Sequence, residues 1–154
     1  MQNGEALVER AIDLFNKGFN CAQASFAALC EHWGLEGSPR VASCFGGGIG
    51  RTGAACGILT GSLMALGLLA GTDDPLDVPT KEKVTKLGRE YITKFNALKG
   101  TVNCKDLLGF DISGPGGHEE LGRRGLKKSV CIPVMESAMV LMDTFAREEG
   151  LLKS

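Results

Sequence analysis

The sequence predicts an all-α fold: a single domain over residues 1–154, arranged as a helical bundle of about five main helices around a central apolar helix. Three observations carry this. Apolar residues recur at intervals of three and four along several segments, which places them on one helical face. No stretch of useful length alternates apolar and polar residues as a half-buried strand does. Thr52–Thr72 carries no charged residue, and among amphipathic segments such a stretch is the one the others pack around.

In chain order, Ala6–Lys17 sets Leu7, Ile12, Leu14 and Phe15 around one broad face and ends at Gly18. Asn20 is placed to cap the next helix, with Gln23 completing a capping box, and "CAQASFAALCEHW" runs on to Gly34. "VASCF" is short enough for a brief strand. The uncharged stretch approaches the ~20 residues of a membrane span. However, Gly53, Gly57, Gly61, Gly67 and Gly71 dilute its hydrophobicity, so it reads as a core helix rather than a span. Gly57, Gly61 and Ala65 lie four residues apart and make a small-residue stripe that lets another backbone approach closely. After the acidic turn Gly71–Pro79, Thr80–Lys99 spaces Val84, Leu87, Tyr91, Phe95 and Leu98 helically, and Gly100 closes it. Gly109–Gly125 reads as a Gly-rich loop. Ser129 is then expected to cap a last helix carrying Val130, Val134, Ala138, Leu141 and Phe145, with Pro133 in the first turn, where a missing N–H does no harm.

The net charge is −1, and Lys and Arg are scattered among acids. Arg123-Arg124 with Lys127-Lys128 is the only basic cluster and reads as a solvated turn. No nucleic-acid partner is expected, because phosphate binding needs a clustered basic footprint. "MQNGEALVERAIDLF" interrupts its apolar residues with Glu5, Glu9, Arg10 and Asp13, unlike a secretory signal. A cytoplasmic, reducing location is therefore expected. Six cysteines at 21, 30, 44, 56, 104 and 131 then point to metal ligation or redox chemistry rather than a disulfide scaffold.

Gly48–Gly53 fits G-x-G-x-x-G, but an amphipathic helix follows where a dinucleotide fold needs a second buried strand. No Gly-Lys-Ser or Gly-Lys-Thr follows either, which excludes a Walker loop. The cysteine in this glycine-rich segment carries more information. Cys21, Cys56, Cys104 and Cys131 each fall near an expected helix start, where free N–H groups and the helix dipole lower a thiol's pKa. Cys30 lies nine residues from Cys21 and faces the opposite way, and Cys44 has no cap signal; both read as buried packing residues. The lack of any C-x-x-C pair weighs against thioredoxin-like and zinc-ribbon motifs, and the lack of C-x-x-C-H excludes covalent haem attachment. His32 reads as an ordinary residue of a helix C-terminal turn, whereas His118 is the better candidate to join a metal site.

"NCAQA", "FGGGIGRTGAACGILTGSLMALGL", "NCKDLLGFD" and "SVCIPVMESA" together resemble the redox-active C_GCAxxG_C_C family over nearly the whole chain. A related domain occurs in split-Soret-type cytochromes, beside haem and an iron–sulfur centre. Carried over residue by residue, the family's functional cysteines are Cys21, Cys56, Cys104 and Cys131; Ile58 stands where the family motif has Ala. The resemblance implies a redox-active protein whose four cysteines ligate a metal centre, an iron–sulfur cluster ahead of zinc, for electron transfer with a redox partner protein. A homodimer is compatible with it. Two alternatives stand beside this reading. One is a metal-free thiol/disulfide protein with Cys56 as nucleophile, and the other is a non-enzymatic binding module using the Gly109–Gly125 loop. Whether the chain is an enzyme stays open.

Overall fold

A computed structural model describes residues 2–153 of the chain. Among them are seven α-helices and no strand: α1 (Gln2–Asn16), α2 (Cys21–Trp33), α3 (Gly57–Ala70), α4 (Val78–Lys99), α5 (Cys104–Leu108), α6 (Gly117–Arg123) and α7 (Ile132–Glu148). "VASCF" is not the brief strand that its length allows: Val41 and Ala42 end a 3-10 turn over Pro39–Ala42, and Ser43 and Cys44 continue as turn.

Local chemistry explains the boundaries of α2 and α4. Asn20 and Gln23 form the expected reciprocal capping box, with Gln23 N–H donating to Asn20 Oδ1 at 2.8 Å and Asn20 N–H to Gln23 Oε1 at 3.1 Å. Gly34 and Gly100 end α2 and α4 in the left-handed conformation, which glycine adopts at little cost. α4 starts at Val78, two residues before the expected Thr80, because the Asp77 carboxylate caps it by accepting from Thr80 N–H at 3.1 Å. The Gly109–Gly125 region is less open than the sequence suggests, because α6 occupies its second half.

Ser129 is not a cap. The chain is already helical at Lys127, in a widened π-turn over Lys127–Cys131 that runs directly into α7, with Ile132 N–H donating to the Lys127 carbonyl. Pro133 has no N–H to offer Ser129's carbonyl, and a locally wider turn absorbs that missing bond. By length and composition, Lys127–Glu148 is the one helix among the described residues apolar enough to cross a membrane. Its Val134, Met135, Ala138, Met139, Met142 and Phe145 are buried within the protein, as in a core helix.

The core gathers α1, α2, α3, α4 and α7. Tyr91 and Phe95 of α4 are fully buried, and the Tyr91 hydroxyl donates to the Ala138 carbonyl of α7 at 3.0 Å. The closest packing is α2 on α3, and it follows from the small-residue stripe. A Cβ added at Gly61 would run into the Ala22 carbonyl oxygen and lie 3.1 Å from Ala22 Cα, so the two backbones nearly touch.

A candidate thiol site

The α2–α3 contact brings the first two thiols together. Cys21 opens α2 and Cys56 immediately precedes α3, and a Cβ at Gly57 would strike the Cys21 sulfur. A second clamp adds Cys104. Cys56 N–H donates to the Val102 carbonyl at 2.8 Å and Cys104 N–H to the Ala54 carbonyl at 2.7 Å, around an isolated antiparallel bridge between Ala55 and Asn103. Cys131 arrives at the junction of the π-turn and α7.

Cys21, Cys104 and Cys131 line one cavity of about 410 Å³, and Cys56 lies buried beside it with 6% of its surface exposed. Cys21 is the hub: it is an electrostatic neighbour of Cys56, Cys104 and Cys131 alike, and Cys104 also acts on Cys56 and Cys131. The four thiols singled out in the sequence therefore lie around one cavity, three in its wall and Cys56 beside it, and Cys30 does not line it. Cys44 departs from expectation. It is exposed rather than buried and lines the same cavity.

The expected lowering of the thiol pKa values is reversed. Burial pushes the Cys104 thiol up to about 11 and that of Cys131 up to about 12, in each case with a further rise from Cys21. Burial raises Cys56 as well, then Cys21 nearby, against the Ile58 and Leu59 amides. Cys21 is also raised by burial, although the backbone N–H groups of Gly47, Ala22 and Gly57 face its sulfur. Helix starts thus supply amide donors, but desolvation outweighs them. A buried neutral thiol is a poor nucleophile, so nothing in the surroundings of Cys56 favours that role.

Glycine geometry builds the cavity wall. Gly47, Gly48, Ile49, Gly50 and Arg51 all have positive φ, from 60° to 74°, so five consecutive residues form a left-handed turn. It is held by Gly50 N–H to the Cys44 carbonyl at 2.7 Å, Arg51 N–H to Gly46 at 3.0 Å and Ala54 N–H to Gly48 at 2.9 Å. Three of these residues are glycines, for which the conformation costs little; Ile49 and Arg51 adopt it against the usual Cβ penalty. The G-x-G-x-x-G match belongs to this turn, with no strand before it.

Arg51, His118 and Lys127 also line the cavity, and no Asp or Glu does. His118 is where the sequence suggests a site residue, whereas Arg51 carries no such signal beyond being a lone arginine within a run of glycines, and Lys127 reads as part of a solvated turn. His32 lies elsewhere, with Nε2 3.4 Å from Asp143 Oδ1 on α7.

Among the described residues, no three His, Cys, Asp or Glu side chains stand in an arrangement that closes directly on a metal ion. A single tetrahedral zinc, with Zn–S bonds of about 2.3 Å, requires sulfurs about 4 Å apart. An iron–sulfur cluster places iron and sulfide between its ligands and so spans a wider thiol set. The donor chemistry fits the cluster: four thiols, amide donors facing the central sulfur, and no competing carboxylate in the cavity.

Residues 19–145 match the family described as "Putative redox-active protein (C_GCAxxG_C_C)". A protein of Archaeoglobus fulgidus, described as an uncharacterized protein, is 34% identical over 120 residues, covering 70% of this chain and 77% of that protein. No solved structure matches the chain.

Proposed function

The chain belongs to the C_GCAxxG_C_C family of redox-active proteins, and from that premise we propose that Cys21, Cys56, Cys104 and Cys131 hold an iron–sulfur cluster for electron transfer. The observation that carries this reading is the gathering of thiols from four separate segments around one cavity, three in its wall and Cys56 beside it, with Cys21 an electrostatic neighbour of the other three. A bound cluster supplies one-electron chemistry. The protein's own part is to position and tune. The Gly47, Ala22 and Gly57 amides donate toward the Cys21 sulfur, and such donors raise the potential of a ligated sulfur's cluster. Burial of Cys56 against α2 shields one side of the site from water. All six cysteines are free, as ligation requires and as a reducing cytoplasm would maintain.

The test is anaerobic reconstitution of the purified chain with iron and sulfide. Stoichiometric iron and sulfide and a cluster spectrum are expected, lost in C21S, C56S, C104S and C131S and retained in C30S and C44S. Colourless, metal-free protein that is normally folded would overturn the proposal, as would full iron loading in the four serine variants.

A further inference from the structure

The cavity mouth has a feature that cysteine ligation does not use. Arg51, His118 and Lys127 converge on it from the left-handed turn, α6 and the π-turn, with no carboxylate in the lining. Among the described residues, neither Arg51 nor Lys127 has an ion-pair partner, so both charges are open to a ligand. Arg51 and Lys127 are both close enough to His118 to disfavour its protonation. The Lys127 ammonium lies 5.7 Å from the centroid of the Phe15 ring, so the positive edge adjoins an apolar wall that includes Leu108, Ile112 and Leu121. Arg51 also keeps a positive φ of 60°, where glycine would be relaxed. A strained residue that glycine could replace without strain is an outlier that calls for a use.

We propose that this mouth is a binding site for a small organic anion, whose charged group pairs with Arg51 and Lys127 while its apolar body rests on Phe15, Leu108, Ile112 and Leu121. One-signed charge over low-dielectric walls concentrates such a ligand, and the arginine fork suits a carboxylate or phosphate group equally. The site deepens the redox reading by naming the class of molecule that reaches the thiols. It rests on that reading only for the ligand's role as redox partner, not for its binding.

The test titrates the full-length reduced chain, metal-free and iron-reconstituted, with benzoate and with phenyl phosphate by calorimetry. Saturable binding that weakens with salt is expected, and the tighter probe assigns the anionic group as carboxylate or phosphate ester. Arg51→Ala and Lys127→Ala should each weaken binding by about tenfold or more, the loss of one charge-assisted contact, while Arg123→Ala leaves it unchanged. Arg51→Gly serves as the folding control, since it relaxes the backbone and should still abolish the contact. No saturable binding of either probe to either form would overturn the proposal, as would binding indifferent to Arg51 and Lys127. Iron content measured on the same samples separates the two readings: the Arg51 variants should keep their iron, and failure to load iron leaves the anion titration of the metal-free chain standing.

Discussion

Replacing Gly61 by alanine tests the close approach on which the thiol site depends. A Cβ there would overlap the Ala22 carbonyl oxygen and sit 3.1 Å from both the carbonyl carbon and Cα of Ala22. These are backbone atoms of α2, which cannot turn aside as a flexible side chain would. Overpacking of this kind costs about 1–3 kcal/mol. Alanine regains up to about 1 kcal/mol through its higher helix propensity. Gly67, in the same helix, separates the two effects, because a Cβ there meets nothing within 4 Å. Gly67→Ala should therefore be neutral or stabilising by up to about 1 kcal/mol. The difference between the two variants should equal the packing cost alone, about 1–3 kcal/mol. Urea unfolding followed by the fluorescence of Trp33, the sole tryptophan, measures both midpoints. Equal stability of the two variants would refute the packing argument.

Further outcomes follow from other parts of the molecule. Burial raises the thiols of Cys30 and Cys104 to about 11 and of Cys131 to about 12, so the folded metal-free chain holds these protons more tightly than the unfolded one. Its stability should be full below about pH 9 and fall as pH rises toward 12, as denaturant midpoints at stepped pH would report. Iodoacetamide at pH 8 should alkylate Cys44, the one exposed cysteine, well before the other five, as peptide mass mapping would show. Asp143 accepts from Trp33 Nε1 at 2.9 Å and from Arg147 Nε at 3.1 Å; these bonds hold its carboxyl below the usual range although burial acts the other way. Asp143→Asn should cost about 1–3 kcal/mol at pH 7, with the deficit shrinking as acid protonates the wild-type carboxylate. Ile49→Gly at the left-handed turn should leave stability unchanged or raise it by about 1 kcal/mol, since relieved strain offsets glycine's entropy; a loss above about 1 kcal/mol would contradict the strained turn.

What could be read in the sequence was local, and what could not was tertiary. The Asn20–Gln23 box, the amphipathic spacing of α4 and the Gly57–Gly61 stripe are written in neighbouring residues and recur in the structure. The helical start ahead of Ser129 is not legible, because a π-turn has no capping residue to announce it. α6 is not legible because its N-cap is Gly116, with no side-chain cap bond. The thiol positions could be singled out from helix starts and from family likeness, but the direction of their pKa shifts could not. That direction depends on burial, which distant segments impose. The place of Arg51 is hidden for a similar reason: nothing in its neighbours says that it shares a cavity with Lys127, which is far along the chain.

The Ala55–Asn103 bridge has a consequence for how the protein comes into being. It fastens Gly53–Cys56 to Val102–Lys105, and α3 and α4 form most of the chain between them. During synthesis Cys21 and Cys56 emerge well before Cys104, and Cys131 comes later still. A nascent chain therefore displays unpartnered thiols, open to adventitious metals and oxidants, until the later segments arrive. The four thiols can therefore gather around the cavity only after Cys131 has been made and the bridge has closed.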